Sequence, residues 1–198
     1  SPDFIVVATG GLPNIPEFEG AELAVSSWDV LSGMTRLNRH VLILDEVGDH
    51  PGAVVADALQ QAGAKVTFAT PDRAPHHNLG PTNSAVALRD LYTGGIHYVI
   101  DSDCTKLSRD GNRVAAQLRN VLTGAMTEHT FDHVVFETGT APNDDLYFAL
   151  KSNARNGGQV NISDLIEGRV TFPHTNPNGA YTLIRIGDAV ASRNMAAA

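Results

Sequence analysis

Val6-Val7-Ala8-Thr9-Gly10-Gly11-Leu12-Pro13-Asn14 and Val135-Phe136-Glu137-Thr138-Gly139-Thr140-Ala141-Pro142-Asn143 share one pattern, an apolar run leading into Thr-Gly-x-x-Pro-Asn. A buried strand that ends in glycine can bring its backbone against a nucleotide, because no Cβ stands between them. Proline then turns the chain away and removes a donor. Glycine and proline also punctuate ordinary loops, but two copies in the same strand context point to a ligand crevice at the carboxyl ends of strands. A third candidate is the turn Gly48-Asp49-His50-Pro51-Gly52. Set against the Gly-x-Gly-x-x-Gly diphosphate turn, Gly52 takes the last glycine, while Val47 and Asp49 stand at the first two. A carboxylate there repels a diphosphate by ~1 kcal/mol or more. Asp49 or His50 would equally cap a helix with Pro51 at its first position.

Three further places carry usable chemistry. Asp72 could hold a ribose hydroxyl and Arg73 a 2′-phosphate, or both could form a solvated turn after Pro71. Gly139 and Thr140 would face the same crevice from the opposite side. Gly187-Asp188 ends the last strand, where Asp188 could also cap a following helix from residue 189. The eight histidines give no metal set: His76 and His77 are adjacent in a Pro-rich loop, and His129 and His133 flank a strand boundary. Cys104 reads as a small buried group rather than a nucleophile. Asp144 and Asp145 read as the cap and first turn of a helix.

The elements that must position these residues follow from hydrophobic period. Residues 4–8 and 41–44 are continuous apolar runs with β-branched members, as in strands buried on both faces. A helix over 53–62, closed by Gly63, and a strand over 65–69 complete a βαβ unit of about 30 residues. A short helix is expected at 27–33 with Ser27 as its cap, a longer one at 82–92, and a strand at 96–100. Residues 104–107, 113–120 and 127–131 alternate apolar with polar around Asp110-Gly111-Asn112 and Thr123-Gly124, which predicts an antiparallel meander. A strand at 133–137, a helix at 146–151, a strand at 181–186 and a helical turn at 194–198 follow.

The chain has 198 residues, 42% apolar and 18% charged, enough for one large α/β domain or one domain plus part of another. Its net charge of −8 argues against nucleic acid and anionic membranes. A single cysteine rules out a disulfide within the chain and an iron–sulfur cluster held by this chain alone. It also fits a cytoplasmic setting, and no run of 18 apolar residues predicts a membrane span.

Two strand exits around a βαβ unit and a meander, closed by Ile186-Gly187-Asp188-Ala189, resemble the reductases built from two dinucleotide domains. Ser27-Trp28-Asp29-Val30-Leu31, Asn143-Asp144-Asp145-Leu146-Tyr147 and residues 185–194 are closer still to one group. They resemble the C-terminal nucleotide-binding region of the NADH:flavin oxidoreductase family of old-yellow-enzyme type. Its long members include 2,4-dienoyl-CoA reductase and the trimethylamine, dimethylamine and histamine dehydrogenases. The resemblance implies a Rossmann-like NAD(P)-type domain, with a parallel sheet and a meander, at residues 39–145. Parts of an FAD domain would flank it at 1–38 and 146–198. It places Thr9, Gly10, Gly11, Gly187 and Asp188 on the FAD side, with Asp188 at the ribityl chain. Gly48, Asp49, Gly52, Asp72, Arg73, Gly139 and Thr140 fall on the side of NAD(P) or ADP. An N-terminal barrel with FMN and an iron–sulfur cluster would lie outside this sequence, and the chain alone would be inactive. Expected partners are that barrel, an electron-transfer protein and a second copy. The alternative is a nucleotide fold that has lost NAD(P) and serves subunit or electron-acceptor contacts.

Overall fold

In a computed structural model, residues 2–191 are described. In chain order they form β1 (Phe4–Val7), β2 (Gly11–Pro13), β3 (Val25–Ser26), α1 (Ser27–Leu31), β4 (His40–Asp45), α2 (His50–Gln61), β5 (Lys65–Ala69), α3 (Pro81–Thr93) and β6 (His97–Val99). Then come β7 (Ser102–Asp110), β8 (Arg113–Asn120), β9 (Met126–Phe131), β10 (His133–Glu137), β11 (Thr140–Pro142), α4 (Asp145–Lys151), α5 (Ile162–Ile166) and β12 (Thr182–Arg185). The helical turn expected at 194–198 lies outside the described residues. No described helix is long and apolar enough to cross a membrane.

The chain forms two compact units, one of them Pro13–Gly139. Its centre is a five-stranded sheet in the order β3-β10-β4-β5-β6, parallel throughout. The side chains of β4 alternate between two cores. Val41 and Ile43 pack with Val55, Ala56 and Leu59 of α2 and Phe68 of β5. Leu42 and Leu44 pack with Leu107, Ala116, Leu118 and Phe131 of the meander β7-β8-β9. Full burial of such a side chain stabilises by about 1.5–3 kcal/mol, so both faces of the sheet are fixed. The parallel sheet and antiparallel meander are as the sequence predicts.

Local signals shift some boundaries. Gly63, at φ 81°, closes α2 as expected, and Ala64 donates to the Leu59 carbonyl. The helix begins earlier than its apolar period, at His50, because the Asp49 side chain accepts the His50 N–H and caps it. Pro51 is therefore its second residue. Ser26, not Ser27, caps α1: Ser26 Oγ accepts the Asp29 N–H, and the Asp29 carboxylate accepts the Ser26 N–H. That reciprocal box leaves Ser27 free to point elsewhere.

The other unit takes its described residues from 2–12 and 140–191. Here β1 and β12 form a parallel pair, Val7 opposite Arg185. Val7 and Leu183 pack with Tyr147, Ala154, Tyr181 and Ala189. The expectation that β1 is buried on both faces is not met: Phe4 and Val6 are 57% and 52% exposed. On that side Phe4 packs edge-on against the Phe172 ring at 5.9 Å. Instead of an α-helix from residue 189, the chain leaves β12 through a 3₁₀ turn at Gly187–Ala189.

Candidate functional site

The repeated Thr-Gly-x-x-Pro-Asn segments form a pair in the fold. β2 lies beside β11. In one unit the Asn143 N–H donates to the Gly10 carbonyl at 2.9 Å and the Thr9 hydroxyl donates to the Asn143 carbonyl. In the other, the Asn14 N–H donates to the Gly139 carbonyl at 2.9 Å and the Thr138 hydroxyl donates to the Asn14 carbonyl. The same four atoms of each copy bond to the other copy. Gly11 is required by this pairing, since a Cβ there would stand 2.3 Å from Thr140 Cγ2. Much of the polar capacity read as ligand-binding at Thr9, Gly10 and Gly139 is thus engaged by the partner segment.

The diphosphate-type turn sits between β4 and α2. Its anion-binding groups are already occupied. Asp45, the last residue of β4 and 1% exposed, accepts the Val47 N–H at 2.7 Å and the Gly48 N–H at 2.9 Å through Oδ1. Its Oδ2 is buried without a hydrogen-bond partner. A Cβ on Gly52 would lie 2.1 Å from that oxygen, so Gly52 makes room for an internal carboxylate. Burial pushes the Asp45 carboxyl up to about 6; the Gly48 and Val47 N–H groups oppose this, while the Glu137 and Asp72 charges add to it.

More carboxylates surround the turn. Glu137 ends β10 opposite Asp45. It is 4% exposed, accepts the Ser27 hydroxyl, and takes the Gly139 N–H at 3.1 Å. Asp72 is paired with His77 Nδ1 at 3.3 Å. The His77 ring covers Gly48, where a Cβ would come within 2.6 Å of it, and Gly48 takes φ 67°. Arg73 pairs with Asp101 at 3.1 Å. A diphosphate brought to this turn would find the Val47 and Gly48 N–H groups taken by Asp45 and would be repelled by that buried carboxylate. A dinucleotide diphosphate does not fit this turn as it stands.

Sequence reading missed Asp45, Glu137, Ser27 and His76. Both acids end apolar strands, and an acid at the last position of a buried run was the available signal. His76 is fully buried with φ 57°, its Nε2 2.9 Å from the Tyr98 hydroxyl and its ring edge-on to Phe68 at 4.7 Å. Burial pulls it down to about 4. Cys104 donates weakly to the Lys106 carbonyl, and burial pushes its thiol up to about 11, so at neutral pH it is no nucleophile.

In the other unit, Gly10 and Gly187 follow β1 and β12 at the same end of the pair. Both adopt positive φ, 73° and 61°, and a Cβ on either would meet open space. Arg185 stacks on Tyr147 at 4.6 Å, pairs with Asp144, and donates to the Ala189 carbonyl at 3.2 Å. That anchor holds the Gly187–Ala189 turn and presents the exposed Asp188 carboxylate. Thr140 belongs to this unit and packs against Gly11.

The model of the pyridine nucleotide-disulphide oxidoreductase family matches residues 2–171. The chain is 37% identical over its whole length to a probable N-methylproline demethylase of Rhizobium meliloti, spanning 29% of that protein. It is 36% identical to the N,N-dimethylglycine/sarcosine dehydrogenase of Chromohalobacter salexigens, spanning 30% of it. Among solved structures, 6-hydroxypseudooxynicotine amine oxidase from Pseudomonas geniculata N1 superposes with a TM-score of 0.74 at 24% identity, over 98% of this chain and 27% of that one. The chain thus spans under a third of these relatives. The resemblance to long flavin oxidoreductases with amine dehydrogenases among them is borne out.

Proposed function

The chain belongs to the pyridine nucleotide-disulphide oxidoreductase family, and from that premise we propose that it is the nucleotide-domain portion of a longer flavin-dependent dehydrogenase of N-methylated amino acids. In this reading the Pro13–Gly139 unit has given up NAD(P). The observation that carries it is the Asp45 carboxylate, which holds the two N–H groups of the turn and closes it from inside. The substrate class rests on the names of the two relatives above 35% identity over the whole chain.

FAD belongs on the β1–β12 side. Thr9, Gly10, Gly11 and Gly187 would lie along it and Asp188 would bond its ribityl chain; the positive φ and open space at Gly10 and Gly187 fit that role. Bound there, FAD supplies a two-electron acceptor. FMN, an iron–sulfur cluster and the substrate pocket are assigned to the remainder of the longer protein. A protein acceptor, rather than nicotinamide, would take the electrons, in the cytoplasm. Membership in a larger FAD domain is supported by the exposure of Phe4 and Val6, since a two-stranded sheet is marginal alone.

Calorimetric titration of the 198-residue chain tests the central point. NADH, NADPH and ADP should show no binding up to millimolar concentration. Micromolar affinity for either dinucleotide would refute the reading. For the substrate class, sarcosine or N-methylproline added anaerobically to the longer protein should bleach its flavin absorbance, and an unmethylated amino acid should not.

A further inference from the structure

The opposite edge of the Pro13–Gly139 sheet has a different character. The parallel strands β4, β5, β6 and β10 begin with His40, Lys65, His97 and His133. In a parallel sheet those first residues lie along one edge, so a run of basic side chains collects there. His40 stands opposite Lys65, and Thr67 opposite His97. Between this edge and the meander is a cavity of about 330 Å³ whose polar lining is His40, Lys65, Thr67, His97, His129 and Thr130. Val99, Leu118 and Phe131 make its apolar part. Among the described residues no carboxylate lines it, in a chain whose net charge is −8.

The site is built rather than a loose scatter of cations. His40 Nε2 lies 2.9 Å from Thr67 Oγ1, and its ring stands edge-on to Phe131 at 4.8 Å. The His40 backbone N–H donates to the Asp132 carboxylate at 3.0 Å. That acid is otherwise neutralised by Arg39 and Arg113 at 3.9 and 3.8 Å. The surroundings of His40 are net positive: burial first, then Lys65, Arg113 and His97, lower its basicity, and only Asp132 opposes them. Lysine and imidazole donors with two hydroxyls suit a phosphate, and the apolar floor suits an organic body attached to it.

We infer that this cavity binds a small organic phosphate monoester, with Lys65 as its principal charged contact and Phe131 under its body. The inference is independent of the closed turn at Asp45, which lies at the other end of the same strand as His40. The test is NMR titration of the histidine rings in the 198-residue chain with phenyl phosphate, inorganic phosphate and, at matched ionic strength, chloride. Phenyl phosphate should shift the His40 ring signals saturably and raise its titration midpoint by about one unit, as an anion within a few ångströms does. Lys65→Ala, at an exposed strand start, should weaken binding about tenfold, the loss of one charge-assisted hydrogen bond. Retained dispersion of the other histidine signals would show that this variant is folded. Binding tighter than that of inorganic phosphate is expected from the floor. A response matched by chloride, unchanged in Lys65→Ala, or no stronger for phenyl phosphate than for inorganic phosphate would overturn the inference.

Discussion

Asp45 and His76 are buried ionisable residues whose titrations pull in opposite directions. Asp45 titrates near 6 against an ordinary 3.8, so the stability it contributes is full below about pH 4 and is lost as pH rises through 6. His76 titrates near 4 against 6.5, so its contribution is full above pH 6.5 and is lost as pH falls toward 4. Each is worth on the order of 3 kcal/mol, and in the shared window they nearly cancel. Asp45→Asn should therefore expose the His76 slope, making the protein progressively less stable from pH 6.5 to 4. Urea midpoints across that range check it. A profile for Asp45→Asn as flat as that of the parent chain would count against a shifted titration at either residue. Neither residue announced itself in the sequence. Asp45 lies just past the apolar run 41–44 and drew no reading, and His76 looked like half of a loop dipeptide, because burial at those two places is decided by α2 and Tyr98, not by neighbours in sequence.

The turn into α2 is where residue and element meet. Gly52 was legible as a glycine of a diphosphate fingerprint, and it is indeed at the helix start, but what approaches it is the chain's own carboxylate. Gly52→Ala should cost about 1–3 kcal/mol by overpacking, and Asp45→Ala should recover most of that loss in the double variant. A cycle of denaturation midpoints with no coupling would mean that the two do not touch. The helices and strands themselves were largely legible. The two-faced apolar run of β4, the Gly63 stop and the hairpin turns at Gly111 and Gly124 all stand where local chemistry put them. The misread start of α1 comes from its cap, a serine one residue earlier than expected. For α2, Asp49, one of the two cap candidates the sequence offered, is the cap, and the helix starts ahead of its apolar period.

At the scale of the whole molecule, the two units differ in how well they are covered. Phe4, Val6, Leu146 and Phe148 are at least half exposed in the unit that carries β1 and β12. The five-stranded sheet of the other has cores on both faces. Amide hydrogens of β1 and β12 should therefore exchange at least about tenfold faster than those of β4 and β5, as followed by mass spectrometry. Equal protection would show that the β1–β12 pair is stable as it stands. This difference was not legible beforehand, because an apolar run such as residues 4–7 looks the same whether or not a neighbouring strand covers it. The paired exits have an outcome of another kind. Asn14 and Gly139, first and last of their unit but for Pro13, are hydrogen-bonded to each other, so its entry and exit lie side by side. Such a unit is a cassette: it can be cut out and its flanks rejoined by a short splice, or exchanged for another of the same fold, without stretching the host.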